Sequence, residues 1–306
     1  MSVLPHAEPR CTDSGEAAVE LSIDARTREL GVGFTVRRLL PNAERRMVGP
    51  FIFLDHMGPV HLAAGRGLDV RPHPHINLAT VTYLFDGEIL HRDSLGSEQP
   101  VRPGAVNWMT AGRGIVHSER SPAAERKAGA RVHGLQLWVA LPRALEEVVP
   151  SFRHHAAADI PAIERGGVRL RIVAGAAYGL RSPVEVLSPL FYVEARLERG
   201  ASLDMPEGHA GRAAYVVEGS VSSGARSHGP GTMVVFREAP GACIAAVETS
   251  RVMLLGGVPL DGERHIFWNF VSSSRERIER AKDEWRERRF PDIPGDDREF
   301  IPLPER

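Results

Sequence analysis

His73-Pro74-His75-Ile76-Asn77-Leu78-Ala79-Thr80-Val81-Thr82-Tyr83-Leu84-Phe85-Asp86-Gly87 carries two kinds of information. Leu78 to Phe85 is rich in Val, Thr and Tyr and runs into an Asp-Gly turn, the composition of a β-strand and its exit. The last five residues also recur. Tyr83-Leu84-Phe85-Asp86-Gly87 is matched 132 positions on by Tyr215-Val216-Val217-Glu218-Gly219, and Pro103-Gly104-Ala105-Val106-Asn107-Trp108 is matched 127 positions on by Pro230-Gly231-Thr232-Met233-Val234-Val235. Each half thus has an aromatic strand, an acidic-Gly turn and a Pro-Gly turn into a further strand. Two similar β domains in tandem are the simplest account.

The rest of the chain agrees. Strands are expected at 34–40, 49–54, 106–109 and 135–140, then at 168–173, 190–197, 213–217, 232–236 and 252–255, bounded by Gly, Pro, Asn or Asp. Residues 1–34 read as a polar tail with one early strand. A Pro ends the first series at Leu141-Pro142-Arg143, which places the domains at 1–141 and 142–306. Thirty Gly and 23 Pro, about 17% of 306 residues against the ~12% of average usage, are scattered without period, so the chain is turn-rich and not collagenous. One helix is expected at about 273–289. Ser273 with Glu276 makes a capping box, Ile278, Ala281 and Trp285 share a face, and Glu276/Arg280 and Glu284/Arg288 are ordered i, i+4 pairs.

Composition narrows the function. A formal charge of −1 gives no field to hold nucleic acid or an anionic membrane, and the helix mixes both signs of charge as a solvated face does. No run approaches the ~18 apolar residues of a membrane span, and Met1 to Arg10 lacks the apolar core of a signal peptide. The two cysteines, Cys11 and Cys243, allow one bridge at most and fit a reducing compartment, so a cytoplasmic protein is expected.

His73-Pro74-His75 and His117-Ser118-Glu119 carry the chemistry. Residues two apart on a strand share a face, so His73 pairs with His75 and His117 with Glu119. Two such pairs meeting inside a β-barrel offer three imidazoles and one carboxylate, a set that suits a divalent first-row metal and leaves positions for a substrate or dioxygen. Gly67 precedes the first pair and Gly112-Arg113-Gly114 the second, where the backbone must turn tightly. The repeat offsets put Met205, Glu207, Ile244 and Ala246 at the corresponding places of the second half, so only the first is expected to bind metal; His209 and His228 read as loop histidines. His56 and Met57 belong to a turn that either lines the metal entrance or only shapes the chain, and Phe53 and Trp108 are expected in the core.

Gly67, His73-Pro74-His75, Thr80 and Gly87 resemble the first cupin motif, and Gly114-Ile115-Val116-His117 resembles the second. Arg37-Arg38-Leu39-Leu40-Pro41, the run Gly49 to Pro59, Thr80-Val81-Thr82-Tyr83 and the run Asn107 to Glu119 more specifically resemble the pirin family, over nearly the whole chain from about residue 33. The resemblance implies an all-β bicupin of two jelly-roll barrels with a single iron in the first, held by His73, His75, His117 and Glu119. The chain departs from the family in having Ile76-Asn77-Leu78-Ala79 where many members have Arg-Gly-Phe-Glu, which leaves Glu119 as the only carboxylate expected at the metal.

Two functions follow from that resemblance. One is a quercetin 2,3-dioxygenase acting on an aromatic small molecule and dioxygen, with Fe(II) as cofactor in preference to other first-row metals and Glu119 accepting the flavonol proton. The alternative is an iron-dependent regulator that binds a transcription factor or a metabolic enzyme.

Overall fold

The computed structural model describes residues 18–29 and 34–305, without the side chain of Ala130. The expected N-terminal tail up to residue 17 and Cys11 lie outside the described residues. The chain divides into two compact units, one made of Arg26–Ile160 with Leu260–Arg306 and the other of residues up to Ala25 with Pro161–Pro259.

In the first unit a seven-stranded antiparallel sheet runs in the order Ser151–His155, Val106–Thr110, Leu78–Asp86, Ala130–Ala140, Phe51–Leu62, Thr35–Leu40, Arg26–Glu29. A four-stranded sheet runs Asp69–His75, Ile115–Arg120, Ile89–Asp93, Glu98–Val101. The second unit repeats the plan. Its large sheet runs Val19–Asp24, Thr232–Phe236, Gly211–Glu218, Ser250–Gly257, Leu190–Leu197, Val168–Ala177, Ala162–Arg165, with Leu180–Arg181 paired beside it, and its small sheet runs Ser202–Asp204, Cys243–Ala246, Val221–Ser223, Arg226–His228. The strands carrying the sequence echo occupy the same place in each order. The protein is an all-β bicupin with a C-terminal helix.

The units are not the single cut expected after Leu141. Ser151–His155 bonds to Val106–Thr110 along its whole length and so closes the edge of the first sheet, while Val19–Asp24 does the same for the second against Thr232–Phe236. Residues 260–306 also belong with the first barrel, because the faces they cover are there. The helix Arg275–Arg286 buries Ile278, Ala281 and Trp285 against Phe270, Phe290, Ile293 and Val116.

The helix differs in detail from expectation. Its N-cap is Ser274, whose hydroxyl accepts from the Arg277 amide at 3.1 Å, because Ser273 is already engaged by the Glu146 carboxylate. It ends at Arg286, short of Arg289. Glu284 pairs with Arg277 and Arg280, and Arg288 turns instead to Asp292. The segment Phe51–Leu62 is one continuous strand, so Asp55 to Pro59 is not a separate turn.

Candidate metal centre

The strand Asp69–His75 and the strand Ile115–Arg120 are antiparallel neighbours, with His117 opposite His73 and Ile115 opposite His75. Alternation then sends all three imidazoles to the barrel interior. The turn before the second strand needs its glycine, since Gly112 has φ +49° and a side chain there would strike the Val148 carbonyl. The outward face of that strand is tied down by Asp296, which accepts from the Ser118 hydroxyl at 2.7 Å and from Arg120 at 2.8 Å.

The three rings converge. Centroids lie 4.3 Å apart for His73 and His117 and 5.0 Å for each of the other two pairs. One nitrogen from each falls within 4.8 Å of the others, and the Nε2 atoms of His75 and His117 face each other at 3.1 Å. Two lone pairs at that spacing need a proton or a cation between them. His73 Nδ1–H donates to the Arg71 carbonyl at 2.8 Å, which fixes the tautomer and leaves Nε2 as a donor atom for a metal. Burial pushes the His73 pKa down to about 4, and burial together with neighbouring imidazoles pushes His75 and His117 well below their ordinary value. Neutral, buried imidazoles that cannot protonate at pH 7 are what a divalent ion requires, so the residues fit a metal.

Glu119 lies on the same strand face as His117, but its carboxylate is not among the atoms within 4.8 Å of one another. Its Oε1 accepts from the Thr82 hydroxyl at 2.8 Å, and Thr82 Oγ1 also lies 2.9 Å from Gln136 Oε1. Burial raises the Glu119 pKa, with the Thr82 hydrogen bond opposing it. A bound cation acts in the opposite direction to burial and favours the carboxylate.

Several neighbours were not singled out from sequence. His91 is buried, stacks face to face on Phe152 at 4.2 Å, sits 5.4 Å from the His117 ring, and is 3.0 Å from Asp93 through Nε2. Asp93 also accepts from the Leu95 and Ser97 amides, and against the effect of burial the His91 and Ser97 hydrogen bonds hold its pKa below the usual range. The signal was present, since His91-Arg92-Asp93 shows the same i, i+2 pattern that marked the ligands. Phe53 does fill the interior, stacked on Trp138 at 4.0 Å, and Trp138 in turn meets the His75 ring edge-on at 5.1 Å. Trp108 is buried as expected. Met57 packs in the apolar cluster of Val36, Leu84 and Val132, while His56 alternates to the other face of its strand, beside Arg37 and His133, and not among the three ligand histidines.

In the second barrel Met205, Ile244 and Ala246 belong to its apolar core, and Glu207 is exposed. Among the described residues the three histidines of the first barrel are the one group with this ligand spacing.

Residues 33–139 match the pirin family model and residues 192–291 match that of the pirin C-terminal cupin domain. The chain belongs to the pirin family. A pirin-like protein of Caulobacter vibrioides is 51% identical over 94% of this chain and 100% of its own length. The crystal structure of a quercetin 2,3-dioxygenase from Acinetobacter baumannii superposes with a TM-score of 0.86 at 32% identity, covering 95% of this chain and 97% of that one. The pirin fold extends to a bacterial pirin from Escherichia coli in complex with nickel(II), with a TM-score of 0.60 at 18% identity over 78% of this chain and 99% of that one.

Proposed function

We propose that this pirin is a cytoplasmic, iron-dependent dioxygenase that opens flavonols such as quercetin with release of carbon monoxide. The observation that carries the reading is the convergence of three buried imidazoles held neutral, in a chain that over 95% of its length is similar to a quercetin 2,3-dioxygenase. His73, His75 and His117 hold the metal. Iron(II) supplies a Lewis-acidic position for a substrate hydroxyl and electrons for dioxygen chemistry.

The remaining work falls to the chain itself. Glu119, buried across from Thr82, accepts the flavonol hydroxyl proton, and a carboxyl raised by burial is a better base than an exposed one. Phe53 stacked on Trp138, and Phe152 stacked on His91, surround the histidines with aromatic rings that exclude water. Purified protein should carry iron, take up dioxygen and release carbon monoxide with quercetin, and His75→Ala should lose all three. Metal-free protein from iron-sufficient cells would defeat the assignment. Metal-loaded protein without turnover would favour the regulatory alternative.

A further inference from the structure

At one level of the first barrel, six strands each turn a polar residue inward. Strand register places Arg38 opposite Asp55, Asp55 opposite Gln136, Gln136 opposite Thr82, Thr82 opposite Asn107, and Asn107 opposite His154. These residues are bonded to one another: Arg38 grips Asp55 through two bonds at 2.8 and 2.7 Å, Thr82 Oγ1 lies 2.9 Å from Gln136 Oε1, and His154 Nδ1 lies 2.7 Å from Asn107 Oδ1. The levels above and below are mostly apolar, with Phe53, Trp138 and Met109 beside Thr80 on one side and Val36, Met57 and Leu84 on the other.

The second barrel shows that the fold does not require this band. Its corresponding level, traced through the same register, reads Ile172, Val193, Leu254, Ala214, Val234 and Ser22. Five of the six are apolar core residues, and Ala214 stands where the first barrel has Thr82. Burying polar groups costs free energy that an apolar band avoids, so a polar level whose Asp55, Thr82 and Asn107 are buried, present in only one of two matched barrels, points to a role in that barrel's chemistry. Thr82 joins the level to the ligand-bearing sheet through its hydrogen bond to Glu119.

We propose that Thr82 is the positioning residue for Glu119: its hydroxyl donates its one proton to the carboxylate, anchors it to the large sheet and sets how far it stands from the three imidazoles, with Gln136 Oε1 the competing acceptor. The inference rests on the metal-binding reading above, but not on the identity of the substrate. The test uses the full-length protein loaded with cobalt(II), whose visible bands report coordination, alongside quercetin turnover of the iron form. Thr82→Val is expected to change the cobalt spectrum and lower kcat by about 10- to 100-fold with little change in KM. Thr82→Ser, which keeps the hydroxyl, restores both. In a Glu119→Gln background Thr82→Val should add nothing, because both changes break the same link.

Additive effects of the two substitutions, or a Thr82→Val spectrum identical to that of the original protein, would overturn the assignment. Gln136→Leu, which removes the acceptor competing for the Thr82 proton, gives a second probe that leaves the hydroxyl in place; its spectrum is expected to shift in the sense opposite to that of Thr82→Val, and a shift in the same sense would count against the link. Cobalt binding without quercetin turnover would remove the dioxygenase reading and leave the spectral test of Thr82 intact. Absence of cobalt binding would remove both.

Discussion

The two barrels share a strand order and a register, and differ in what they point inward. In the first, His73, His75 and His117 meet in a buried cluster; in the second, register sets Leu203 opposite Ile244 where the first has His73 opposite His117, and Leu203, Met205 and Ile244 pack with Val216 and Val234. The second arrangement is the one a core prefers, since each apolar side chain gains about 1.5–3 kcal/mol on burial whereas each imidazole must be neutralised to enter. The fold is therefore sustained without the site, and the first barrel keeps its histidines at a cost that a bound cation would offset.

The contrast is tested most severely at the ligands. His75→Ala should reduce metal affinity by more than the 10- to 100-fold that outer partners of a metal site cost, measured by metal titration of the purified protein. Met205→Ala in the second barrel should leave metal content unchanged and cost about 2–5 kcal/mol by denaturant unfolding, the usual cost of emptying a core position. Metal loss in the second variant would mean that the barrels are not independent in this respect.

Acid should separate the barrels next. His73 drops from 6.5 to about 4 on folding, so below pH 6.5 the unfolded chain takes the proton first. Stability of the metal-free protein should be complete above about pH 6.5 and fall toward pH 4 at about 1.4 kcal/mol per pH unit for such a histidine. The apolar residues at the matching positions of the second barrel contribute nothing in this window. Melting temperatures of metal-free His73→Leu protein that fall as steeply with pH as those of the original chain would refute the attribution.

Exchanging single residues of the polar level has a smaller effect. Leu254→Gln, which places the first barrel's residue in the second, should cost about 1–3 kcal/mol because the amide finds only Ile172, Val193 and similar neighbours. Gln136→Leu should cost less than about 1 kcal/mol, since Thr82 keeps Glu119 as a partner. The smallest effect is expected at the exposed Arg280–Glu284 pair of the C-terminal helix, where Arg280→Ala should change stability by only about 0.3–0.5 kcal/mol and metal affinity not at all. Both are measurable in the same unfolding and titration series.

Much of this was readable along the chain. The echo of Tyr83 to Gly87 at Tyr215 to Gly219 located matching strands, and the i, i+2 rule placed His73 with His75 on one face, because both signals are local and survive without tertiary contacts. For Glu119 the rule gave the strand face and no distance: the carboxylate accepts from Thr82 on another sheet and is not among the donor atoms within 4.8 Å of one another. It was not applied to His91 and Asp93. The single boundary at Leu141 failed because Ser151–His155 and residues 260–306 rejoin the first barrel through pairings that span many positions.

The sequence by itself determined two turn-rich β domains, one helix of mixed charge near the end, and three histidines on strand faces that suit a metal. These follow from alternation, turn chemistry and capping, all of which act over a few residues. Tertiary structure alone decided that the Nε2 atoms of His75 and His117 meet at 3.1 Å, that Asp296 braces the back of the ligand strand, and that six polar residues line up across the barrel. Register between strands far apart in sequence sets those relations, and register depends on the packing of whole sheets, which no local pattern encodes.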